Sequence, residues 1–222
     1  MKPVATLLDL LLPPRCAGCD RPEADCGLCQ ACLEEVRRFA MRDLGRLTLV
    51  DGVLAVAAYA YAGTVAAAIR TVKAQGRHAA GRGLGILMRA RLGLPLDGIA
   101  TTWVPSSRRR LRERGFELPR MLAGPNAIPL LRRIADRPDQ TTLPAAARRV
   151  SPWGSFAALG HAPPMIVLVD DVRTTGATAT AAATALRTAG AQRVLVATLA
   201  VAGSGAAWHR HTRAQPPIRL SG

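Results

Sequence analysis

Aromatic side chains are scarce in this sequence: three Trp, two Tyr and three Phe amount to 4% of 222 residues. A core of stacked rings is excluded, so Ala, Val and Leu have to supply it. They can, because 49% of the chain is apolar, which also excludes a disordered tail. Lysine is scarcer still: the 30 basic residues are all arginine except Lys2 and Lys73. Acidic residues number only 15, leaving a formal charge of +15 and a pI near 11.4. That imbalance calls for an anionic partner, whether nucleic acid, a phosphorylated metabolite or an acidic membrane. Guanidinium forks suit phosphate, although a compositional bias of the genome produces the same skew. At 23.4 kDa the chain suffices for one ordinary domain and a small appendage, and a large multidomain machine is excluded.

Long hydrophobic runs and internal repeats are missing too. The apolar run at residues 4–12 is interrupted by Asp9 and followed by Pro13, Pro14 and Arg15, where a secretory cleavage site would need small residues. Residues 53–69 carry no charge, but they are dominated by Ala, broken at Gly63-Thr64 and shorter than about 18 residues. A soluble, cytoplasmic protein without membrane insertion is expected.

Cysteine is absent after Cys32. Cys16, Cys19, Cys26, Cys29 and Cys32 crowd into one segment with Gly18, Pro22 and Gly27. Cys16-x2-Cys19 and Cys29-x2-Cys32 form two knuckles that offer four thiolates to one tetrahedral zinc, and metal binding folds a segment too short for its own core. Redox pairing and disulfides are the competing readings; the missing export signal favours structural zinc. Cys26 is surplus and either substitutes for Cys29 or stays free. No base beside an open coordination position accompanies the cluster, so a catalytic metal is not expected there.

The chain divides into a zinc-binding module with a linker helix (1–46), a main domain (47–205) and a basic tail (206–222). A charged helical stretch at 33–42 leads out of the module. In the main domain the pattern predicts a strand at 53–61, a helix at 64–75 stopped by Gly76, and a second helix at 78–92 weakened by Gly81, Gly83 and Gly85. A strand at 99–104 runs into Pro105-Ser106-Ser107. A loop of arginines follows (Arg108, Arg109, Arg110, Arg112 and Arg114), closed by Gly115-Phe116. Less regular helical material extends to 135, and 137–164 reads as irregular. Tyr59, Tyr61 and Trp103 are expected to pack in the core, while Trp153 stays open between packing and base stacking. His209 and His211 fall in the basic tail, where no second metal site is expected.

The most informative segment starts at Met165. Residues 165–169 form a continuous apolar run of the kind buried on both faces of a parallel sheet. Asp170 and Asp171 stand at its carboxyl end, followed by Val172-Arg173 and the turn Thr174-Thr175-Gly176-Ala177-Thr178. An Ala-rich helix at 179–189 and a strand at 194–201 complete a βαβ unit. Open α/β sheets bind ligands beyond the carboxyl ends of their strands, and a turn feeding a helix presents N–H groups to phosphate. Carboxylates repel phosphate but accept hydrogen bonds from vicinal sugar hydroxyls. The combination asks for a ribose bearing a 5′-phosphate.

These residues carry a resemblance. Val167-Leu168-Val169-Asp170-Asp171-Val172-Arg173-Thr174-Thr175-Gly176-Ala177-Thr178 resembles, over its full length, the phosphoribosyl pyrophosphate (PRPP) motif of type I phosphoribosyltransferases. The rest of the chain is similar to one branch, the ComF family of competence-associated proteins. That similarity rests on the Cys pairs after Pro13-Pro14, Lys73 with Gly76-Arg77, Val104-Pro105 followed by Arg109-Arg110-Leu111-Arg112-Glu113-Arg114-Gly115-Phe116, and Gln140, Leu143 and Arg148. Three positions depart from the family: Glu117-Leu118 stand where Asn-Gln is usual, and Ser151 replaces an Asn. The resemblance implies an α/β fold, with a parallel sheet flanked by helices and a small N-terminal four-cysteine module holding structural zinc.

It also implies site roles. Asp170 and Asp171 would hold the ribose hydroxyls, and Thr174, Thr175, Gly176, Ala177 and Thr178 the 5′-phosphate. Pro105, Ser106, Ser107 and Arg108 would receive pyrophosphate, with Arg109, Arg110, Arg112 and Arg114 closing over the site to stabilise the leaving charge and Mg²⁺ bound mainly through the substrate. Two functions follow. One is transfer of phosphoribose from PRPP to an unknown nitrogen acceptor. The other is a non-catalytic competence factor that binds single-stranded DNA beside a competence helicase during DNA uptake and transformation. Charge favours nucleic acid; the acidic pair favours a sugar phosphate, because a DNA surface gains nothing from adjacent carboxylates.

Overall fold

Strand β6 (Met165–Arg173) organises the domain, because its side chains alternate between two cores. Ile166 and Leu168 join one buried cluster, Val167 and Val169 the other. Each such buried side chain contributes about 1.5–3 kcal/mol. The computed structural model describes residues 15–22, 27–49, 52–94, 98–134 and 155–203. Cys26, Gln140, Leu143, Arg148, Ser151, Trp153, His209 and His211 lie outside them.

On one side of β6 runs β7 (Arg193–Val201), and on the other β3 (Ala100–Trp103), both parallel to it. β2 (Leu54–Ala60) pairs parallel with β7, and β1 (Leu47–Thr48) adds an antiparallel edge, giving the order β1-β2-β7-β6-β3. The sheet is thus parallel except for that two-residue edge strand. Helix α6 (Ala177–Thr188) connects β6 to β7 and completes the expected βαβ unit. It covers one face together with a hairpin of β4 (Leu131–Arg133) and β5 (Phe156–Ala158). Helices α2 (Gly63–Gln75), α3 (His78–Leu92) and α5 (Leu118–Ala123) cover the other.

The metal module packs on this second face. Its helix α1 (Gln30–Arg38) starts directly after Cys29, and Cys16, Ala17, Leu28, Cys32 and Val36 share one buried cluster with α2 and α3. Helix α3 runs unbroken through Gly81 and Gly85 because these two serve packing. A Cβ at Gly85 would sit 3.0 Å from the Leu122 Cα and the Met121 carbonyl oxygen, and one at Gly81 would lie 2.6 Å from the Met121 Sδ. Close approach to α5 therefore outweighs the roughly 1 kcal/mol helix cost of each glycine.

Several expectations are corrected. The arginine loop is a helix, α4 (Arg108–Arg114), because the Ser107 Oγ accepts from the Arg110 N–H at 3.3 Å and Gly115 ends the turn at φ 73°. Residues 131–133, expected to be helical, and 156–158, expected to be irregular, pair as β4 and β5. α1 starts at Gln30 and ends at Arg38 rather than spanning 33–42. β6 continues past the acidic pair to Arg173 because its ladder with β7 persists to Arg173 opposite Val201. Tyr59 and Trp103 are buried as expected. No helix among the described residues is long and apolar enough to cross a membrane.

The outer edge of β3 is covered. The Ile128 N–H donates to the Thr101 carbonyl at 2.9 Å, and the Leu130 N–H to the Thr102 Oγ1 at 3.3 Å.

Candidate ligand site and metal centre

β3 stops one step before the acidic pair. Trp103 lies opposite Val169, and the Val104 N–H donates to the Val169 carbonyl at 2.9 Å. From Asp170 onward β6 has a strand partner only on its β7 side, so Asp170 and Asp171 stand at the open notch where the loop 104–107 leaves the sheet. This is the carboxyl edge, where open parallel sheets place ligands.

The pair is held electrostatically. The Lys73 Nζ, on the last turn of α2, lies 2.7 Å from the Asp171 Oδ2, with both side chains largely enclosed. The Asp171 N–H donates to the Asp170 Oδ1 at 2.8 Å. Burial raises the Asp170 carboxyl to about 7, and the neighbouring Asp171 charge adds to this; the Asp171 N–H, Lys73 and Arg133 pull the other way. Arg133, on β4, stacks over the Phe156 ring at 5.1 Å, and its buried Nε has no hydrogen-bond partner among the described residues. Lys73 and Arg133 are the cations that the sequence analysis left without a role. The one available signal was Lys73 itself, the domain's single lysine amid arginines.

Beyond the pair, Thr174 and Thr175 are exposed. Gly176 takes φ 87° as the residue before α6, where a Cβ would lie 2.6 Å from the Leu49 Cδ2. Ala177 and Thr178 form the exposed first turn of α6, and the Ala177 N–H meets the Thr175 Oγ1 at 3.4 Å. Arg173 turns away from this turn: it is buried and donates through Nη2 to the Gly45 carbonyl.

Across the notch, Pro105, Ser106 and Ser107 are half-buried and fixed by Glu117. The Trp103 Nε1 donates to the Glu117 Oε2 at 2.9 Å and the Ser106 N–H to the Oε1 at 2.7 Å. Glu117 therefore braces this loop. Arg108, Arg110, Arg112 and Arg114 are exposed on α4 and form no ion pair among the described residues, while Arg109 pairs weakly with Glu113 at 3.7 Å. The structure brings Asp170, Asp171, the 174–178 turn and the 105–107 loop to one edge, with Arg112 and Arg114 on an exposed helix beside them. A separate cavity of about 370 Å³, lined by Val53, Leu54, Ile99, Met165, Val167 and Arg193, opens at the amino ends of the strands, the wrong edge for this chemistry.

In the module, the sulfurs of Cys16, Cys19, Cys29 and Cys32 all lie within 4.8 Å of one another. Cys19 and Cys29 Sγ are 3.7 Å apart. That is too far for a disulfide and close to the roughly 3.8 Å between sulfurs bound tetrahedrally at about 2.3 Å to zinc. The N–H groups of Gly18 and Cys29 point at the Cys16 Sγ from 3.4 and 3.3 Å. Burial pushes the Cys16 thiol up, but backbone donors from Cys29, Cys19 and Gly18, with Cys32, outweigh it and bring it down to about 7. Burial and the neighbouring sulfurs push the Cys32 thiol well up. Four converging sulfurs fit a structural zinc site.

Residues 7–43 match the double zinc ribbon domain family. No curated protein matches the chain. The N-terminal unit is thus a four-cysteine, zinc-ribbon-like module on a mixed α/β domain. Metal analysis should find about one zinc per chain, retained in Cys26→Ser and lost in Cys16→Ser; full zinc in the Cys16 variant would contradict the cluster's role.

Asp170 generates a second expectation. The folded protein holds its proton up to about pH 7, whereas the ordinary value is 3.8, so stability falls as pH rises between these values and then levels. The fall attributable to this group is at most about 4 kcal/mol. Urea unfolding at pH 5 and pH 8 should show it in wild type and show less of it in Asp170→Asn.

Proposed function

We propose that the main domain binds PRPP with Mg²⁺ and transfers its phosphoribosyl group to a nitrogen acceptor. The observation that carries this reading is the acidic pair at the notch past β3, followed directly by the hydroxyl-rich turn that opens α6. Asp170 and Asp171 accept hydrogen bonds from the ribose 2′- and 3′-hydroxyls. Thr174, Thr175, Gly176, Ala177 and Thr178 hold the 5′-phosphate against the first turn of α6. Mg²⁺, when bound, neutralises pyrophosphate oxygens and is held mainly by the substrate, in keeping with its preference for phosphate ligands.

In the reaction the bond from ribose C1 to the pyrophosphate oxygen breaks and a C1–N bond forms. The electron pair leaves with pyrophosphate, and the acceptor nitrogen gives up its proton. The transition state is oxocarbenium-like, as at other glycosidic centres. The 105–108 segment, held by Glu117 through the Ser106 N–H, receives pyrophosphate. Arg112 and Arg114 supply charge from α4, which buries no side chain and so moves at little cost.

At 100 times its dissociation constant, PRPP with Mg²⁺ should stabilise the protein by about 2.7 kcal/mol. Replacing Asp170 and Asp171 together by Asn should remove most of that gain. No thermal shift at millimolar PRPP overturns the reading.

The exposed arginines of α4 favour a second reading, single-stranded DNA binding in a competence role, with a helicase as partner. Affinity should then fall with log salt at a slope of about −0.7 per phosphate neutralised. Reversing Arg112 and Arg114 to Glu should make that slope shallower by about two contacts. DNA binding untouched by the reversal would place the DNA surface elsewhere.

A further inference from the structure

Helix α2 is gripped by the metal module at both ends. At its start, the Thr64 Oγ1 donates to the Glu35 carboxylate, and a Cβ at Gly63 would lie 2.4 Å from the Phe39 ring. Just past its end, Arg77 reaches into the first Cys knuckle. Its Nη1 donates to the carbonyls of Arg15 and Cys16, both at 3.0 Å, and its Nη2 lies 2.5 Å from the Asp20 Oδ1. Between these grips, Val65, Ala68, Ile69 and Val72 share a buried cluster with Cys16, Leu28, Cys32 and Val36. Lys73, four residues before Arg77, extends from the same helix to Asp171.

We infer that Arg77 is a positioning residue that carries the state of the cysteine knuckle to Lys73, and through it to the Asp170–Asp171 site. The knuckle supplies the two states that such coupling needs. Four thiolates on one metal would fix the knuckle, and metal loss would loosen the Arg15 and Cys16 carbonyls that Arg77 binds. The ion pair is a poor source of stability, because Asp20 and Arg15 are solvent-exposed. Two carbonyls and a carboxylate held by one planar fork instead fix direction. Linkage makes the effect reciprocal: whatever metal binding does for the acidic site, a ligand there does for the metal.

The ligand arm rests on the PRPP reading, and the lysine arm does not. With only Lys2 and Lys73 in the chain, lysine labelled with ¹³C at Cε gives a two-signal spectrum, and Lys73→Met assigns it. In zinc-loaded protein, Arg77→Met should move the Lys73 signal toward that of free lysine while one zinc per chain remains, and zinc removal from wild type should do the same. In the ligand arm, Arg77→Met should weaken Mg²⁺–PRPP binding about fivefold. The same substitution made in Lys73→Met should then have no further effect.

If Arg77→Met loses its zinc, Asp20→Asn, which removes the ion-pair partner, replaces it with the same expectations. A Lys73 signal unmoved by Arg77 substitution and by zinc removal overturns the inference, as does an Arg77 effect that persists in full without Lys73. If wild type binds no PRPP, the functional reading fails, and the lysine signal alone still decides the inference.

Discussion

Burial of β6 on both faces constrains everything around it. A strand whose odd and even side chains are both enclosed must be apolar on both faces and needs a covering layer on each. Its pairings with β3 and β7 place Val169 opposite Trp103 and Asp170 opposite Thr198. Because β3 is short and β7 long, β6 is exposed on one side just where its sequence turns from apolar to acidic. The notch is thus a consequence of unequal strand lengths, and its chemistry comes from the first residues that no longer have to be hydrophobic.

Two adjacent carboxylates at such a place repel one another and lose hydration. The protein answers with cations from opposite faces of the sheet, Lys73 from α2 and Arg133 from β4. Most of the chain's positive charge lies elsewhere: α4 presents its arginines outward, and α3 exposes Arg82. Those exposed arginines are what an approaching anion meets, whereas the balance inside the notch depends on two side chains.

The βαβ unit, the acidic pair and the Cys knuckles were legible because each is local: strand, turn and helix follow one another, and ligand spacing is short. Helix α2 was legible from its stop at Gly76, and α3 was expected at 78–92 despite its glycines. Features set by partners distant in sequence were not. β4 and β5 are three residues each, with no periodicity to reveal them, and they exist through pairing Leu131 with Ala158. In α4 a run of arginines hides the helix, whose local marks are only Ser107 and Gly115. Lys73 lies almost one hundred residues before Asp171, and no spacing rule joins them. Glu117 is legible only as a departure from a pattern; its bracing of Trp103 and Ser106 needs the fold.

The edges of the sheet have a bearing on how copies of this chain can meet. A bare strand edge is a template for another molecule's backbone, and a domain with so much Ala and Val would be at risk of strand addition. Here one edge ends in β1, only two residues long, and the other is occupied by the 128–130 segment bonded to Thr101 and Thr102. Neither offers a run of unpaired backbone long enough to seed a continuous ladder. Continuous strand addition at these two described edges is therefore closed off.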